Sequence, residues 1–201
     1  MDLQGIIFDM GGVLVRTLDP TPREQVAAQL NTTVEHLYHV VFGGESWRQA
    51  QLGHISNDEH WQQVGQQLGL RWPDEVNAFR REFFAGDCLD PEMVSLVREL
   101  RSRYRLGLLS NAPAASQRWL ERLGLLELFD AVVISGLVGV MKPDARIYRL
   151  ALQRLNLLPQ EALFVDDDPA NVEGALAVGM EAVLFTDPTT LYEELKRRGT
   201  L

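Results

Sequence analysis

The chain has 201 residues, of which 46% are hydrophobic and 23% charged, an ordinary balance for a folded protein. Its net charge of −9 argues against a binder of nucleic acid or anionic membranes, because such binders cluster basic side chains. The single cysteine, Cys88, excludes an internal disulfide and fits a reducing compartment, so we expect a cytoplasmic location. The start "MDLQGIIFDM" carries no basic residue, unlike a secretory signal, and no apolar run is long enough to span a bilayer.

Short apolar runs predict five buried strands. Near-continuous Val, Ile, Leu and Phe are typical of strands covered on both faces, as in a parallel sheet. Helix-length segments separate the later runs; they begin with Asp-Pro pairs and end near glycines. This alternation predicts an α/β protein with a doubly wound, mainly parallel, five-stranded Rossmann-like sheet. The runs are Gly5 to Asp9, Arg105 to Ser110, Ala131 to Ser135, Ala162 to Asp166, and Glu181 to Thr186; the pairs start at Asp90, Asp168 and Asp187, and the glycines are Gly124, Gly179 and Gly199.

The region from about Thr17 to Cys88 breaks this alternation. It contains no convincing strand, and two capping-box patterns, Thr21 with Glu24 and Ser56 with Glu59, predict helix starts. We interpret residues 17–88 as an inserted all-α cap domain, and residues 1–16 together with 89–201 as the α/β core domain. An insertion directly after the first strand lies over the crevice where open α/β sheets bind ligands.

Four of the predicted strands carry polar side chains at or just beyond their ends. The first strand ends in Asp9, the second in Ser110 and Asn111, and the fourth in the acidic run from Asp166 to Asp168, while Lys142 follows the third. In a parallel sheet these ends meet at one edge. A potential nucleophile, a hydroxyl, a cation and carboxylates suited to Mg²⁺ are a plausible set for phosphoryl transfer.

Four motifs in this order resemble the haloacid dehalogenase superfamily, and in particular its phosphatase branch with a small helical cap. The motifs are "FDMGGVLV", "LLSN", "GVMKPDARIY" and "FVDDDPANVEGALAVG", and the resemblance covers nearly the whole chain. "QLGHIS" followed by "DEHW" is similar to part of the helical caps in this family. The resemblance implies an α/β hydrolase that acts through an aspartyl-phosphate.

In that resemblance Asp9 is the nucleophile and also a metal ligand. The main-chain carbonyl at position 11 is a further metal ligand, and Gly11 and Gly12 allow the main chain to approach a phosphate closely. The family usually has a second Asp at position 11, which protonates the leaving group and then activates water. This chain has Gly11 there, so general acid–base help worth typically ~10²–10⁴ in rate is missing from that position.

The second and third motifs imply groups that handle the phosphoryl oxygens. Ser110 would hydrogen-bond one of them, and Asn111 would help to position the substrate; either residue also suits an N-cap for a helix that begins near Pro113. Lys142 would neutralise charge on the nucleophile and on the phosphoryl group. Pro143 favours an extended backbone at Lys142.

The acidic run of the fourth motif implies a magnesium site. Asp167 matches the metal-binding acid of the family, while Asp166 and Asn171 would support the site through hydrogen bonds. Asp168 precedes Pro169 and reads as a helix N-cap. Adjacent carboxylates repel one another, and a bound Mg²⁺ offsets that repulsion.

Several cap residues keep two interpretations open. Arg16 is a candidate substrate contact, as are Thr17, Gly43, Gly44 and Trp47, although turn formation and core packing explain the last three equally well. All four histidines fall within the cap; His60 is a candidate for the missing acid, and a packed or solvated histidine explains it as well.

We therefore expect a phosphoric monoester hydrolase that needs Mg²⁺ and acts on a small phosphorylated metabolite, such as a sugar phosphate or a similar compound. One alternative is a 2-haloacid dehalogenase, since such enzymes also lack the second acid and Tyr148 fits the spacing of their third motif. The other is a low-turnover phosphate-binding or regulatory domain, which Gly11 suggests because the usual second Asp is missing there.

Overall fold

A computed structural model describes residues 3–201. The main sheet has five parallel strands in the order β5-β4-β1-β6-β7, which confirms the predicted sheet. The strands are β1 (Gly5–Phe8), β2 (Val15–Thr17), β3 (Asp87–Leu89), β4 (Arg105–Ser110), β5 (Ala131–Ile134), β6 (Ala162–Asp166) and β7 (Glu181–Leu184). The helices are α1 (Thr21–Gln29), α2 (Val34–Phe42), α3 (Glu45–Gln51), α4 (Asn57–Gln67), α5 (Pro73–Phe83), α6 (Pro91–Leu100), α7 (Ser116–Arg122), α8 (Ser135–Val138), α9 (Ala145–Leu155), α10 (Pro169–Val178) and α11 (Pro188–Arg197).

The central strand β1 is apolar and buried on both faces, as its sequence GIIF predicts. It pairs with β4 and β6 in register, so that Phe8 lies opposite Leu108 on one side and Val165 on the other. The residues that follow these three positions therefore reach the same edge of the sheet. This register brings the end of β1 beside the ends of β4 and β6.

Two apolar layers cover the sheet. Ile6 and Phe8 face one layer, which includes residues of α6 and α11, and Ile7 faces the other, which includes residues of α9. Alternate side chains of one strand therefore serve opposite faces, which is the period-two pattern of a strand. The predicted helix starts at Asp90, Asp168 and Asp187 are confirmed, since each side chain accepts hydrogen bonds from main-chain N–H groups of its helix.

Helices α1 to α5, here called the helical segment, lie between β2 and β3 and have an apolar cluster of their own. The short strands β2 and β3 pair antiparallel, with Thr17 opposite Asp87. The expectation that the region from Thr17 to Cys88 holds no strand is therefore wrong at its two ends. Each strand has only three residues, too few for an alternating pattern to be visible in the sequence.

The two predicted capping boxes have different outcomes. Ser56 and Glu59 form the box at the start of α4. Thr21 does not act as an N-cap, because the backbone of Pro20 is already helical and Thr21 is the first residue of α1. The side chain of Asp19 accepts the hydrogen bond from the main-chain N–H of Thr21 instead, at 3.0 Å.

The helix predicted near Pro113 begins later, at Ser116, so neither Ser110 nor Asn111 caps it. Among residues 3–201, none of the helices combines the length and the apolar character that a bilayer crossing requires.

Candidate active site

Lys142 joins two carboxylates at the edge of the sheet where β1, β4 and β6 end. Its Nζ atom lies 2.8 Å from Oδ1 of Asp9 and 2.6 Å from Oδ2 of Asp166. Lys142 is only 2% exposed, so its ammonium group is almost completely shielded from water. A charge buried to this degree requires ionic partners, and the two carboxylates supply them.

Burial and charge act against each other in this group. Burial raises the pKa of Asp9 to about 7, although the ammonium of Lys142 opposes the increase. Burial also acts to lower the pKa of Lys142, but the carboxylates of Asp9 and Asp166 outweigh it, and the pKa of the lysine is raised. The lysine is therefore fully charged at neutral pH and favours the ionised form of Asp9, which is the form that can act as a nucleophile.

Asp167 completes a cluster of three carboxylates with Asp9 and Asp166, and one oxygen of each lies within 4.8 Å of the others. Oxygen atoms on opposite sides of a Mg²⁺ ion lie about 4 Å apart, so the cluster has the dimensions of a magnesium site. Burial and the charge of Asp166 raise the pKa of Asp167. When all three carboxylates are ionised and Lys142 is counted, the cluster has an excess of two negative charges, which a divalent cation would neutralise.

Asp166 is the fixed member of the cluster. It is fully buried, and Asn171 donates to both of its carboxylate oxygens, at 3.1 and 3.2 Å. The main-chain N–H of Asp168 also donates to Oδ1 of Asp166, at 2.8 Å. Because these bonds and Lys142 occupy its oxygens, Asp166 suits a supporting role, and the more exposed Asp167 is free to bind a metal.

The last residue of β4, Ser110, and the residue after it, Asn111, face this cluster differently. Ser110 is 2% exposed and lines the cleft above the sheet edge. Asn111 holds the main chain of Lys142 from both sides, because its Nδ2 donates to the carbonyl of Lys142 at 3.0 Å and its Oδ1 accepts from the N–H of Lys142 at 2.8 Å. Asn111 therefore acts on the position of the lysine.

Gly11 and Gly12 lie side by side in the turn after β1, but only Gly12 is required by its surroundings. Its φ is +81°, and a Cβ there would lie 2.1 Å from the carboxylate of Asp167. A Cβ on Gly11 would meet nothing within 4 Å, and its φ is not in the left-handed region. The backbone therefore has room for a side chain at position 11.

A cleft of about 2250 Å³ opens between this edge of the sheet and the helical segment. Asp9, Ser110, Lys142 and Asp167 line it on the sheet side. On the helical side, the lining includes four aromatic side chains whose rings contact one another. These residues, here called the aromatic wall, are Phe42, Trp47, Trp61 and Phe84. Its centroid distances are 5.3 Å from Trp47 to Phe42, 6.1 Å from Phe42 to Phe84 and 5.9 Å from Phe84 to Trp61. Such a surface can bury an apolar group of a ligand.

Arg16 and Thr17 also line the cleft, and the side chain of each is bonded to a carboxylate of the protein. The guanidinium of Arg16 forms an ion pair with Asp90 at 2.6 Å, and the hydroxyl of Thr17 donates to Asp87 at 2.7 Å. Gly43 and Gly44 serve the helix ends, as the C-cap of α2 and the N-cap of α3.

His60 does not reach the cleft. It is fully buried, its Nδ1 pairs with the hydroxyl of Ser46 at 2.9 Å, and its ring packs against Trp47 and Trp61. Burial lowers the pKa of His60 to about 4. The ring is therefore neutral at physiological pH, and a packed histidine is the interpretation that these contacts support.

Sequence reasoning singled out Trp47 as a candidate substrate contact but missed the other three rings of the aromatic wall, and it missed Gln51. The aromatic residues are dispersed from Phe42 to Phe84, so their grouping depends on how the helices pack. Gln51 is buried at the end of α3, and its Nε2 donates to the carbonyl of Asn111 at 2.8 Å. In the sequence, the position of Gln51 is marked only by the "LGH" that follows it, and this pattern does not indicate that Asn111 is its partner.

The family model for haloacid dehalogenase-like hydrolases matches residues 3–179 of this chain. The chain belongs to this family of hydrolases. It is 34% identical over 195 residues to a sesquiterpene phosphatase of Aspergillus oryzae, and the match covers 95% of this chain and 94% of that protein. It is also 41% identical over 98 residues to a phosphoserine phosphatase of Thermus thermophilus, a match that covers 47% of this chain and 39% of that enzyme.

The fold is also that of solved members of the family. A haloacid dehalogenase family enzyme of Bacteroides thetaiotaomicron, in complex with magnesium and inorganic phosphate, superposes with a TM-score of 0.75. The superposition covers 94% of this chain and 99% of that one, at 19% sequence identity, and it establishes the shared fold.

Proposed function

We propose that this chain is a Mg²⁺-dependent phosphatase that moves the phosphoryl group of a small phosphorylated metabolite to Asp9 before water releases it. The observation that carries the proposal is the contact of Lys142 with Asp9 and Asp166 beside Asp167. The near full-length similarity to a sesquiterpene phosphatase supports phosphate chemistry.

In this proposal Asp9 attacks phosphorus, and the bond to the leaving oxygen breaks as the aspartyl-phosphate forms. Lys142 offsets the negative charge that the carboxylate and the phosphoryl oxygens share, and the hydroxyl of Ser110 donates to one of those oxygens. Asn171 and Asp166 keep the lysine and the acidic turn in place. The departing alkoxide takes a proton from solvent, since Gly11 offers none. Water then attacks phosphorus, releases a proton to solvent and breaks the bond between phosphorus and Asp9, which restores the Asp9 carboxylate.

Asp9, Asp167 and the main-chain carbonyl of Gly11 would hold the Mg²⁺ ion. When bound, the ion neutralises the carboxylate cluster and the phosphoryl oxygens. The excess of two negative charges and the close approach of the carboxylate oxygens support this assignment. Gly12 allows Asp167 to lie against the turn, because any side chain there would displace its carboxylate.

We further propose that residues 17–88 act as a cap domain on a core of residues 1–16 and 89–201, and that the cap selects the organic part of the substrate. The aromatic wall and the sesquiterpene phosphatase relative favour an apolar organic group over the sugar phosphates that the sequence suggested. The aromatic wall and Asp9 line the same cleft, so one substrate could contact both, with its hydrocarbon part on the rings and its phosphate at Asp9.

Two observations weigh against a 2-haloacid dehalogenase. The carboxylates Asp166 and Asp167 would repel an anionic haloacid unless a cation were bound. Tyr148 is fully buried and donates to the carbonyl of Asn171 at 2.8 Å, so its hydroxyl already has a partner.

A panel of phosphate monoesters, assayed with and without Mg²⁺, tests the proposal. We expect Mg²⁺-dependent release of phosphate that Asp9→Asn abolishes and that the exposed Asp19→Asn leaves unchanged. Metal-independent turnover, or wild-type activity of Asp9→Asn, would contradict the proposal. Tight phosphate binding with negligible turnover would instead favour the binding-domain alternative.

A further inference from the structure

Gln51 connects the helical segment to the main chain beside the candidate active site. It is the last residue of α3 and is 9% exposed. Its Nε2 donates to the carbonyl oxygen of Asn111 at 2.8 Å. A buried amide without a partner is costly, so the hydrogen bond holds the end of α3 at this point of the sheet edge.

Gln51 bonds Asn111, and Asn111 in turn bonds Lys142. The side chain of Asn111 bonds both the N–H and the carbonyl of Lys142, at 2.8 and 3.0 Å. The ammonium of Lys142 then contacts Asp9 at 2.8 Å. One continuous series of hydrogen bonds therefore runs from a helix of the helical segment to the proposed nucleophile.

A second contact holds the chain just after α3 against α8, which in turn packs on the loop that contains Asn111. Gly53 has φ +74°, and a Cβ there would lie 2.4 Å from the carbonyl oxygen of Gly136. A Cβ on Gly136 would in turn lie 2.5 Å from the main-chain nitrogen of Ala114. Three stretches of main chain thus pack directly on one another, with no side chain between them, so Gln51 approaches Asn111 along a defined path.

We propose that Gln51 is a positioning residue that couples the seating of the helical segment to the placement of Lys142 against Asp9. When the segment is seated, Gln51 fixes the main chain of Asn111, and the Asn111 side chain fixes Lys142. When the segment moves away, Asn111 loses this restraint. The catalytic consequence rests on the proposed function, because it requires Asp9 to be the nucleophile.

The first test replaces Gln51 by Met, which keeps the length of the side chain and removes the donor. We expect kcat for a phosphate monoester to fall about five- to tenfold, the usual effect of one neutral hydrogen bond, and KM to rise several-fold, because the displaced Lys142 also contacts the phosphoryl group. Gln49→Ala on the same helix is the matched control, because among residues 3–201 the side chain of Gln49 bonds only Glu45 and His54, both within the helical segment. The control should keep the wild-type kcat.

A double-mutant cycle with Asn111→Ala separates positioning from simple support of the fold. Asn111→Ala keeps the carbonyl that Gln51 bonds but cuts the connection to Lys142. If Gln51 acts through Asn111, the double variant has the kcat of Asn111→Ala alone. Additive losses, or a lower Tm of Gln51→Met with unchanged kcat, would overturn the proposal.

Calorimetric binding of inorganic phosphate in the presence of Mg²⁺ supplies a readout that needs no turnover. We expect Gln51→Met to bind phosphate several-fold more weakly than wild type and Gln49→Ala to bind it equally well. An inactive wild-type protein with this difference in phosphate affinity would contradict the proposed function and leave the role of Gln51 standing. Equal affinity for wild type and Gln51→Met, with equal kcat, refutes the role of Gln51.

Discussion

The ammonium of Lys142 lies 2.8 Å from Oδ1 of Asp9, and both groups are almost completely buried. Lys142→Met removes the charge and leaves the carboxylates of Asp9 and Asp166 without their shared counter-ion. We expect kcat to fall at least about a hundredfold, as for the loss of one group that stabilises developing charge. Steady-state kinetics at saturating Mg²⁺ measure the effect.

Lys196→Met is the control for that prediction, because Lys196 is exposed in the last turn of α11. It removes the same charge from the surface, far along the chain from the motif residues, and should keep the wild-type kcat. A Lys142→Met enzyme that retains wild-type kcat would show that the contact with Asp9 is structural only.

Gly12→Ala should abolish activity by moving Asp167. The substitution forces a side chain into the left-handed φ region and against the Asp167 carboxylate. Gly69→Ala is the matched control, because Gly69 has φ +71° with nothing within 4 Å of its Cβ position. Both variants should lose roughly 1 kcal/mol of stability from backbone strain, and only Gly12→Ala should lose Mg²⁺ affinity and turnover. Equal loss of activity in both would refute the specific role of Gly12.

Gly11→Asp should increase the turnover of alkyl phosphates. The backbone has space for the side chain, and a carboxylic acid there can protonate a leaving alkoxide. We expect kcat to rise about tenfold or more with an alkyl phosphate, and much less with an aryl phosphate, because a phenolate leaves without help. The ratio of the two rates in wild type and variant is the measurement. An equal effect on both substrates would argue against proton donation.

The buried His60 should make the stability of the protein depend on pH. Its pKa is about 4 in the folded chain and about 6.5 when unfolded, so the unfolded chain binds the extra proton between these values. This contribution is complete above about pH 6.5 and is lost as the pH falls towards 4, by at most roughly 3 kcal/mol. Urea unfolding at several pH values measures the slope.

His60→Phe should flatten that slope, because phenylalanine fills the same aromatic site without titrating. A wild-type slope in His60→Phe would show that other groups cause the pH dependence.

Four of the five main strands were readable because their buried runs are apolar on both faces. The fifth, β7, was also predicted to be buried, but it lies at the edge of the sheet and is partly exposed. Arg105–Ser110 and Ala162–Asp166 have the predicted bounds, whereas the run to Thr186 ends two residues early at Leu184. The strands β2 and β3 were not readable, because polar partners distant in sequence hold them. Arg16 pairs with Asp90, a contact that no local pattern reveals.

The same difference separates the two parts of the cleft. The side chains at the strand ends could be predicted to meet, because parallel strands bring their carboxyl ends to one edge. The contact of Gln51 with Asn111 depends on how the helical segment docks, and one sequence carries no periodic signal for that docking. The space beside Gly11 likewise becomes visible only in three dimensions.

The pairing of Thr17 in β2 with Asp87 in β3 means that the helical segment begins and ends at neighbouring points. Arg23 of α1 secures this junction, because its guanidinium bonds both carboxylate oxygens of Asp87, at 2.8 and 2.6 Å, and the carbonyl of Phe83 at 3.0 Å. The two ends of the helical segment are therefore fixed to each other independently of the five-stranded sheet, whose order does not include β2 or β3. A change within the segment can alter the lining of the cleft without altering the pairing of the main sheet, and it acts on Lys142 where it moves Gln51.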